Sequence, residues 1–215
     1  MMKLTKKSKT IVIINLDEVN WGILPTKSLA FLHLPLYSEE HFQNFYLDDI
    51  PLDESQHNRV LIEIEKYAWD RFLNYLSLRD HSIFECRTYL KGLYLHYSLI
   101  EKFIEKAMGY NYLNEARFTE LYVENLLDKG KSENEIKNKL HAKKVDPALI
   151  NELISKLNTS EKKAEVLEEN LNKAIRRFSR FPKEEQKKKI INYLYRKGFS
   201  YFEVKTKLEM ELEDD

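Results

Sequence analysis

The chain contains one nine-residue pattern three times: Ser82-Ile-Phe-Glu-Cys-Arg-Thr-Tyr-Leu90, Ser132-Glu-Asn-Glu-Ile-Lys-Asn-Lys-Leu140 and Ser200-Tyr-Phe-Glu-Val-Lys-Thr-Lys-Leu208. Each copy opens with Ser-x-x-Glu, a capping box in which the serine hydroxyl accepts from the backbone N–H three residues on and the glutamate reaches back to the serine N–H. A small apolar residue and a leucine then follow four positions apart, so they lie on one face of a helix. Three copies therefore predict a helical unit that has been repeated.

Helix-stop signals separate the copies. Four of the five glycines follow segments of helical apolar periodicity, where a left-handed residue typically ends a helix: Gly92, Gly109, Gly130 and Gly198. The copies are spaced unevenly, because the second interval holds an extra charged helix near residues 161–180. We predict helices at about 54–79, 82–91, 97–108, 114–129, 132–143, 147–157, 161–180, 183–197 and 200–210.

The first 50 residues follow a different pattern. A β-branched run at 10–16, turn residues at 17–20 and a second short run at 21–24 predict a small hairpin. A short helical stretch at about 26–33 comes next. An irregular segment follows, and its aromatic residues include Phe42, Phe45 and Tyr46.

The predicted fold is all-α, with tandem three-helix repeats in an elongated, curved array and a small N-terminal β-hairpin. The predicted domains are 1–52 for the hairpin and irregular segment, 53–110 for the first repeat, 111–158 for the second repeat, and 159–215 for the third repeat with an acidic tail.

Composition and motifs argue against catalysis. Lys plus Arg and Asp plus Glu number 35 each in 215 residues, so net charge alone indicates no partner. We find no glycine-rich phosphate loop and no His-Glu-x-x-His metal motif in the sequence. The lone Cys86 occupies the slot of Ile136 and Val204 in the other copies, so we expect a small buried hydrophobe. We predict a cytoplasmic, monomeric non-enzyme without cofactor, metal or membrane segment.

Basic residues are concentrated towards the C-terminus. Residues 173–207 carry twelve Lys or Arg against three acids, whereas the last seven residues carry five acids. Such a stretch is typical either of a partner surface or of a solvated helix face, and we favour a partner surface. The candidate partner-binding residues are Lys137, Lys139, Lys143, Lys144, Arg176, Arg177, Arg180, Lys187, Lys188, Lys189, Arg196 and Lys197.

Three stretches resemble the RecX regulatory proteins. They are Asn114-Glu-Ala-Arg-Phe-Thr-Glu-Leu-Tyr-Val123, then Lys129-Gly-Lys-Ser132 with its sequel to Val145, and Tyr193-Leu-Tyr-Arg-Lys-Gly-Phe-Ser200. In the second stretch Lys144 stands where that family usually has a glycine. The resemblance covers about residues 10–208, and its strength lies in the order and spacing of the motifs.

The resemblance implies a regulator of the RecA recombinase in DNA repair, recombination and the SOS response. Such a protein lodges in the groove of the RecA filament on single-stranded DNA, with possible direct DNA contact. It inhibits ATP hydrolysis, strand exchange and co-protease activity. One alternative is a helical-repeat nucleic-acid-binding protein acting without RecA, since Arg87, Lys137 and Lys205 occupy equivalent places on the capped helices. A scaffold for an unrelated partner is a third alternative.

Overall fold

The computed structural model describes residues 1–32 and 47–213 of the chain. The chain divides into two compact units, Met1–Asn114 and Glu115–Asp215. The predicted irregular segment with Phe42, Phe45 and Tyr46 lies outside the described residues.

The first unit begins with a four-stranded antiparallel sheet. Its strands are β1 (Met2–Lys6), β2 (Ile11–Leu16), β3 (Val19–Pro25) and β4 (Leu47–Ile50), in the spatial order β3-β2-β1-β4. The predicted hairpin is confirmed as β2 and β3. Its turn places Asp17 and Glu18 at φ values of 50° and 66°, the two left-handed positions of a type I′ turn. Strands β1 and β4 extend this hairpin and were not predicted.

Helices complete the first unit. The segment predicted at about 26–33 forms α1 (Thr26–Leu29) and a 3₁₀ turn (Ala30–Leu32). Three longer helices follow β4: α2 (Glu54–Leu76), α3 (Ile83–Gly92) and α4 (Tyr97–Gly109). The sheet and these helices share one core, in which Met2, Leu4, Ile64, Phe72 and Phe103 are among the fully buried side chains.

The second unit contains two repeats. Its helices are α5 (Glu115–Asp128), α6 (Glu133–Ala142), α7 (Pro147–Leu157), α8 (Ser160–Phe178), α9 (Lys183–Arg196) and α10 (Tyr201–Glu213). All nine predicted helices are therefore present within a few residues of their predicted bounds. Beyond β4, no strand occurs among the described residues. None of the described helices is both long and apolar enough to cross a membrane.

The third repeat has three helices like the second, but the order of the equivalent helices along the chain is permuted. In the second repeat, α5 packs chiefly against α7, which follows it in sequence. In the third repeat, α9 packs chiefly against α8, which precedes it. Two helices therefore separate α3 from α6, whereas three separate α6 from α10. This order accounts for the uneven spacing of the serine-initiated pattern.

The three patterns cap helices, but they differ in detail. Ser82 forms the complete capping box with Glu85, as predicted. The Ser132 hydroxyl accepts from the Glu135 N–H at 3.2 Å, but the Glu135 carboxylate pairs with Lys131 at 2.9 Å instead of completing the box. Ser200 directly precedes α10, and the N–H three residues on lies 3.5 Å from its hydroxyl.

Ser132 also joins the two repeats of the second unit. Its hydroxyl donates to the carbonyl oxygen of Lys197 at 2.7 Å, while its oxygen accepts from the backbone of its own helix. One hydroxyl thus serves as an N-cap and as a bridge between repeats. The sequence pattern predicted only the cap.

The apolar positions of the three patterns are buried as predicted. Cys86, Ile136 and Val204 are fully buried. The three pattern leucines are buried too, namely Leu90, Leu140 and Leu208. The two buried positions of each copy lie in one hydrophobic cluster, and the three clusters belong to the first unit and to the two repeats of the second unit.

Two of the four glycines predicted to end helices in the left-handed conformation do so. Gly130 and Gly198 have φ values of 66° and 89°. For Gly92 and Gly109 the prediction is wrong, because the left-handed residue comes two positions later. These residues are Tyr94 and Asn111, with φ values of 58° and 55°. Tyrosine pays a steric penalty there that its neighbours must compensate.

A buried histidine lies at the corner between α2 and α3. His81 is 4% exposed, its ring stacks on Tyr75, and its Nε2 lies 3.0 Å from the Tyr75 carbonyl oxygen. Its Nδ1 lies 3.5 Å from a Glu85 carboxylate oxygen. Burial lowers the pKa of His81 below its ordinary value of 6.5 and the Arg79 charge adds to this, whereas the Tyr75 carbonyl and Glu85 oppose it.

The buried ring predicts a loss of stability in acid. Because the folded-state pKa of His81 is lowered, the unfolded chain binds its proton more tightly, and stability falls as the pH drops below about 6.5. One such group contributes at most about 1.4 kcal/mol per pH unit. We expect His81→Gln to flatten the decline in unfolding free energy between about pH 7 and about pH 5, measured by urea denaturation. The exposed His141 supplies the control, and an equal decline in His81→Gln and His141→Gln would contradict the prediction.

Candidate partner-binding surface

Helices α8 and α9 carry most of the predicted partner-binding residues. Helix α8 ends at Phe178, and Pro182 directly precedes α9. The short connection makes the two helices antiparallel neighbours, and the Gln186 side chain of α9 donates to the Ile175 carbonyl of α8 at 3.3 Å. The last turns of α8 therefore lie against α9, where Gln186 meets Ile175 and the Tyr193 ring meets that of Phe178.

Four of the predicted basic residues lie over three aromatic rings, and we call these seven residues the cation–aromatic cluster. The members are Arg177, Arg180, Lys189 and Lys197 with Phe178, Phe181 and Tyr193. The rings contact one another, since Phe178 meets Tyr193 edge to face at 5.7 Å and lies 6.3 Å from Phe181. The cluster is thus one continuous group that spans the two helices.

Each cation has a defined position in the cluster. The Arg177 guanidinium lies 5.1 Å from the Tyr193 ring centre, and Arg180 lies 5.3 Å from that of Phe181. The Lys189 ammonium approaches Phe181 to 4.3 Å, and Lys197 approaches Tyr193 to 5.0 Å. An exposed contact of this kind contributes about 0.5–1 kcal/mol. The rings therefore hold the basic groups in preferred places instead of leaving them to sample solvent freely.

The charges in the cluster act on Tyr193. A side-chain hydrogen bond from Lys197 holds the pKa of the Tyr193 phenol below its ordinary value of 10.0, and the charges of Lys197 and Arg177 add to this effect. Burial of the ring opposes it. The lowered pKa of Tyr193 indicates a positive electrostatic potential at its phenol.

The two arginines are available for an external anion. Both side chains are exposed, and within the described part of the chain neither Arg177 nor Arg180 forms an ion pair. Lys189 differs, because it pairs with Glu185 at 3.3 Å. A planar guanidinium suits a carboxylate or a phosphate in bidentate geometry. The cluster can therefore bind an acidic group of either kind.

The four predicted lysines of the second repeat are in other settings. Lys137 pairs with Glu133 at 2.9 Å, and Lys139 lies 3.8 Å from Glu135. Lys143 lies 5.2 Å from the ring centre of Tyr122. Lys144 is exposed and has a φ of 59°, in the left-handed region. Internal ion pairs thus partly neutralise this group.

The remaining predicted residues lie outside the cluster. Arg176 and Lys188 are exposed and Lys187 is half-buried. Arg196 is exposed, and its Nε donates to the carbonyl of its own helix at Asn192, at 3.2 Å. The run 187–189 fans out around α9, as consecutive helical residues must.

Sequence reasoning found the cations and missed the aromatic rings beneath them. The signal was present in Arg176-Arg-Phe-Ser-Arg-Phe181, where basic and aromatic residues alternate across the end of α8. Tyr193 had no comparable signal, because its place beside Arg177 depends on how α9 packs against α8. Within residues 1–32 and 47–213, no group of three or more His, Cys, Asp or Glu side chains is placed to hold a metal ion.

These features define a class of protein, the tandem three-helix repeat proteins, here with a basic surface backed by aromatic rings. Family models agree with this class. The model of the second three-helix domain of RecX matches residues 114–154, and the model of the third matches residues 161–208. The chain belongs to the RecX family.

Individual relatives give the same result. The regulatory protein RecX of Lactococcus lactis subsp. lactis is 30% identical over 190 residues, which cover 83% of this chain and 68% of that protein. The regulatory protein RecX of Bacillus licheniformis is 28% identical over 171 residues, which cover 79% of this chain and 63% of that protein. The chain thus spans a little under two thirds of the length of the Bacillus relatives it matches.

Solved structures share the fold. A crystal structure of regulatory protein RecX superposes with a TM-score of 0.64 at 21% identity, covering 96% of this chain and all of that one. The crystal structure of RecX from Lactobacillus salivarius has a TM-score of 0.62 at 25% identity, covering 70% of this chain and 97% of that one. These likenesses support the helical-repeat architecture described above.

Proposed function

We propose that this protein is a non-catalytic regulator that binds the RecA–DNA filament and inhibits ATP hydrolysis, strand exchange and co-protease activity. Membership of a family of regulatory proteins supports a regulatory role. It would act in the cytoplasm as a monomer, without cofactor, in recombination, DNA repair and the SOS response. The three repeats at 53–110, 111–158 and 159–215 would form the helical array that carries this surface.

One observation supports a binding role most strongly. The cation–aromatic cluster places four basic groups on rings, and two of them, Arg177 and Arg180, have no ion pair within the described residues. Desolvating a cation is less unfavourable when an anion replaces its water in a fixed geometry. A filament of protein and DNA presents both carboxylates and phosphates. The cluster is the part of this surface that we propose meets the filament.

The other candidate residues have graded roles in this proposal. Arg176, Lys187, Lys188 and Arg196 flank the cluster and would contribute long-range attraction. Lys143 and Lys144 would extend the contact on the second repeat. Lys137 and Lys139 would contribute less, because each already faces a glutamate of its own helix.

The test is inhibition of the cognate RecA. We expect the purified chain to lower the rate of ATP hydrolysis by RecA on single-stranded DNA in a concentration-dependent way. In one arm the chain is added to RecA filaments already assembled on the DNA, and in the other it is added to the DNA before RecA. Comparing the rates of ATP hydrolysis separates binding to filaments from competition for DNA. A chain that leaves hydrolysis unchanged in both orders would refute the proposed function.

A second candidate function is nucleic-acid binding without RecA. The unpaired arginines of the cation–aromatic cluster favour it, because guanidinium groups bind phosphates. Binding to bare single-stranded DNA through about four cations would weaken with salt at a log–log slope of roughly −3, since each phosphate contact contributes about −0.7. Tight binding with that slope, combined with no effect on RecA, would favour this second function.

A further inference from the structure

Two amide side chains join the helix corners of the second and third repeats. Asn170 of α8 donates from Nδ2 to the carbonyl oxygen of Gly130 at 2.9 Å, at the corner between α5 and α6. Asn134 of α6 donates from Nδ2 to the carbonyl oxygen of Gly198 at 2.9 Å, at the corner between α9 and α10. Each glycine corner therefore accepts a hydrogen bond from the other repeat.

Asn170 does more than join the corners. It is 3% exposed, and its Nδ2 also donates to the Val166 carbonyl of its own helix at 2.8 Å. Its Oδ1 accepts from the Lys197 ammonium at 3.2 Å. Both ends of the buried amide are thus occupied, and the acceptor end holds a cation of the cation–aromatic cluster. A buried amide with this many partners has one orientation, so it is a rigid anchor.

Lys197 needs such an anchor to hold its position. Its side chain is long and flexible, and a lysine ammonium otherwise prefers to move freely in water. Here the same ammonium reaches Asn170 on one side and the Tyr193 ring, 5.0 Å away, on the other. Arg177 lies over Tyr193 too, 5.1 Å from its centre. Fixing Lys197 therefore fixes one edge of the cluster.

We infer that Asn170 is a positioning residue, which holds the Lys197 ammonium against Tyr193 and ties this contact to the glycine corner of the second repeat. The inference rests on the proposed function in so far as the cation–aromatic cluster is the partner-binding surface. It adds that the surface of the third repeat is set through the hydrogen bond that Asn170 donates to the Gly130 carbonyl oxygen of the second repeat. The third repeat then holds Lys197 in this position only while it is packed on the second repeat.

The experiment follows the titration of Tyr193 by NMR of labelled tyrosine rings in the full chain, with the signal assigned by its loss in Tyr193→Phe. Lys197→Met removes the ammonium and is expected to raise the Tyr193 pKa towards its ordinary value, because the largest cause of the lowered pKa is lost. Asn170→Leu is expected to shift the titration in the same direction. Inhibition of RecA by Asn170→Leu is expected to fall by a factor similar to that for Lys197→Met.

Asn134→Ala is the matched control, because it removes the other corner hydrogen bond and leaves the Lys197 ammonium untouched. Its Tyr193 titration is expected to stay as in the wild type. Asn170→Ser is measured in parallel, since its shorter hydroxyl keeps a polar group in the site if Asn170→Leu does not fold. An unchanged Tyr193 titration in the folded Asn170 variants would overturn the inference and leave the proposed function standing. If the Tyr193 titration shifted in the Asn170 variants while Lys197→Met inhibited RecA as well as the wild type, the positioning role of Asn170 would be supported. Lys197 would then be removed from the proposed surface.

Discussion

Gly198→Ala is expected to lower the free energy of unfolding of the second unit by roughly 2–4 kcal/mol, because alanine is strained in the left-handed conformation and its methyl group would overpack the site. Gly198 has a φ of 89°, which a residue with a Cβ rarely adopts. A Cβ added there would lie 2.7 Å from the Ser132 hydroxyl oxygen and 3.1 Å from the Asn134 Cβ. The hydroxyl cannot move away cheaply, because it bonds the Lys197 carbonyl and caps α6 at the same time.

Gly92→Ala is the matched control for this prediction. Gly92 ends α3, and apart from its chain neighbours and the backbone of its own helix, no heavy atom of the described residues lies within 4 Å of a Cβ added there. Its stability is expected to be unchanged or raised by about 0.4–1 kcal/mol, because alanine restricts the unfolded chain. Urea denaturation of both variants measures the contrast. If the two variants had the same free energy of unfolding, the prediction that a Cβ at position 198 overpacks the contact between the repeats would be wrong.

Local signals were sufficient to predict the helices of this fold. A capping box is encoded within four residues, and the Ser82 and Ser132 patterns carried enough of it to mark helix starts. Burial of Cys86 followed from its alignment with Ile136 and Val204, since an internal repeat supplies its own comparison. These predictions required no knowledge of which elements meet in space.

Features that depend on packing were not predictable in the same way. Strand β4 contains two aspartates in four residues and has low strand propensity, so only its pairing with β1 makes it a strand. Strand β1 does alternate, with Met2 and Leu4 buried, but its lysines resembled a basic terminus. The left-handed Tyr94 was unpredictable, because glycine two residues earlier offered a cheaper place for that conformation.

The candidate surface was predicted in part, for the same physical reason. Basic residues are visible in composition, and four of the twelve candidates meet in the cation–aromatic cluster. Which four could not be read from the sequence, because helical periodicity places residues around one helix and says nothing about its neighbour. Tyr193 and Asn170 come together with Lys197 only through the permuted packing of α8 on α9.

Reversing Arg177 and Arg180 to Glu is expected to raise the concentration needed for half-maximal inhibition of RecA by about tenfold or more. Tenfold corresponds to about 1.4 kcal/mol, and a hydrogen bond between charged partners is typically worth about 1.5–3 kcal/mol. Both side chains are exposed and lie over Tyr193, Phe178 and Phe181, so the fold loses only surface cation–ring contacts. The free energy of unfolding is therefore expected to fall by no more than about 2 kcal/mol. Inhibition curves and denaturation curves are recorded on the same preparations.

Two control variants distinguish the effect of charge at Arg177 and Arg180 from the effect of net charge and from that of the planar guanidinium. Lys66→Glu with Arg71→Glu makes the same change in net charge on exposed positions of α2, and it is expected to inhibit like the wild type at moderate salt. Arg177→Lys with Arg180→Lys keeps the charge and loses the planar fork, so its inhibition is expected to lie between the two. If the α2 reversal weakened inhibition as much as the reversal of Arg177 and Arg180, a general electrostatic attraction would explain the binding. If the reversal of Arg177 and Arg180 left inhibition intact, the cation–aromatic cluster would have no part in the contact with the filament.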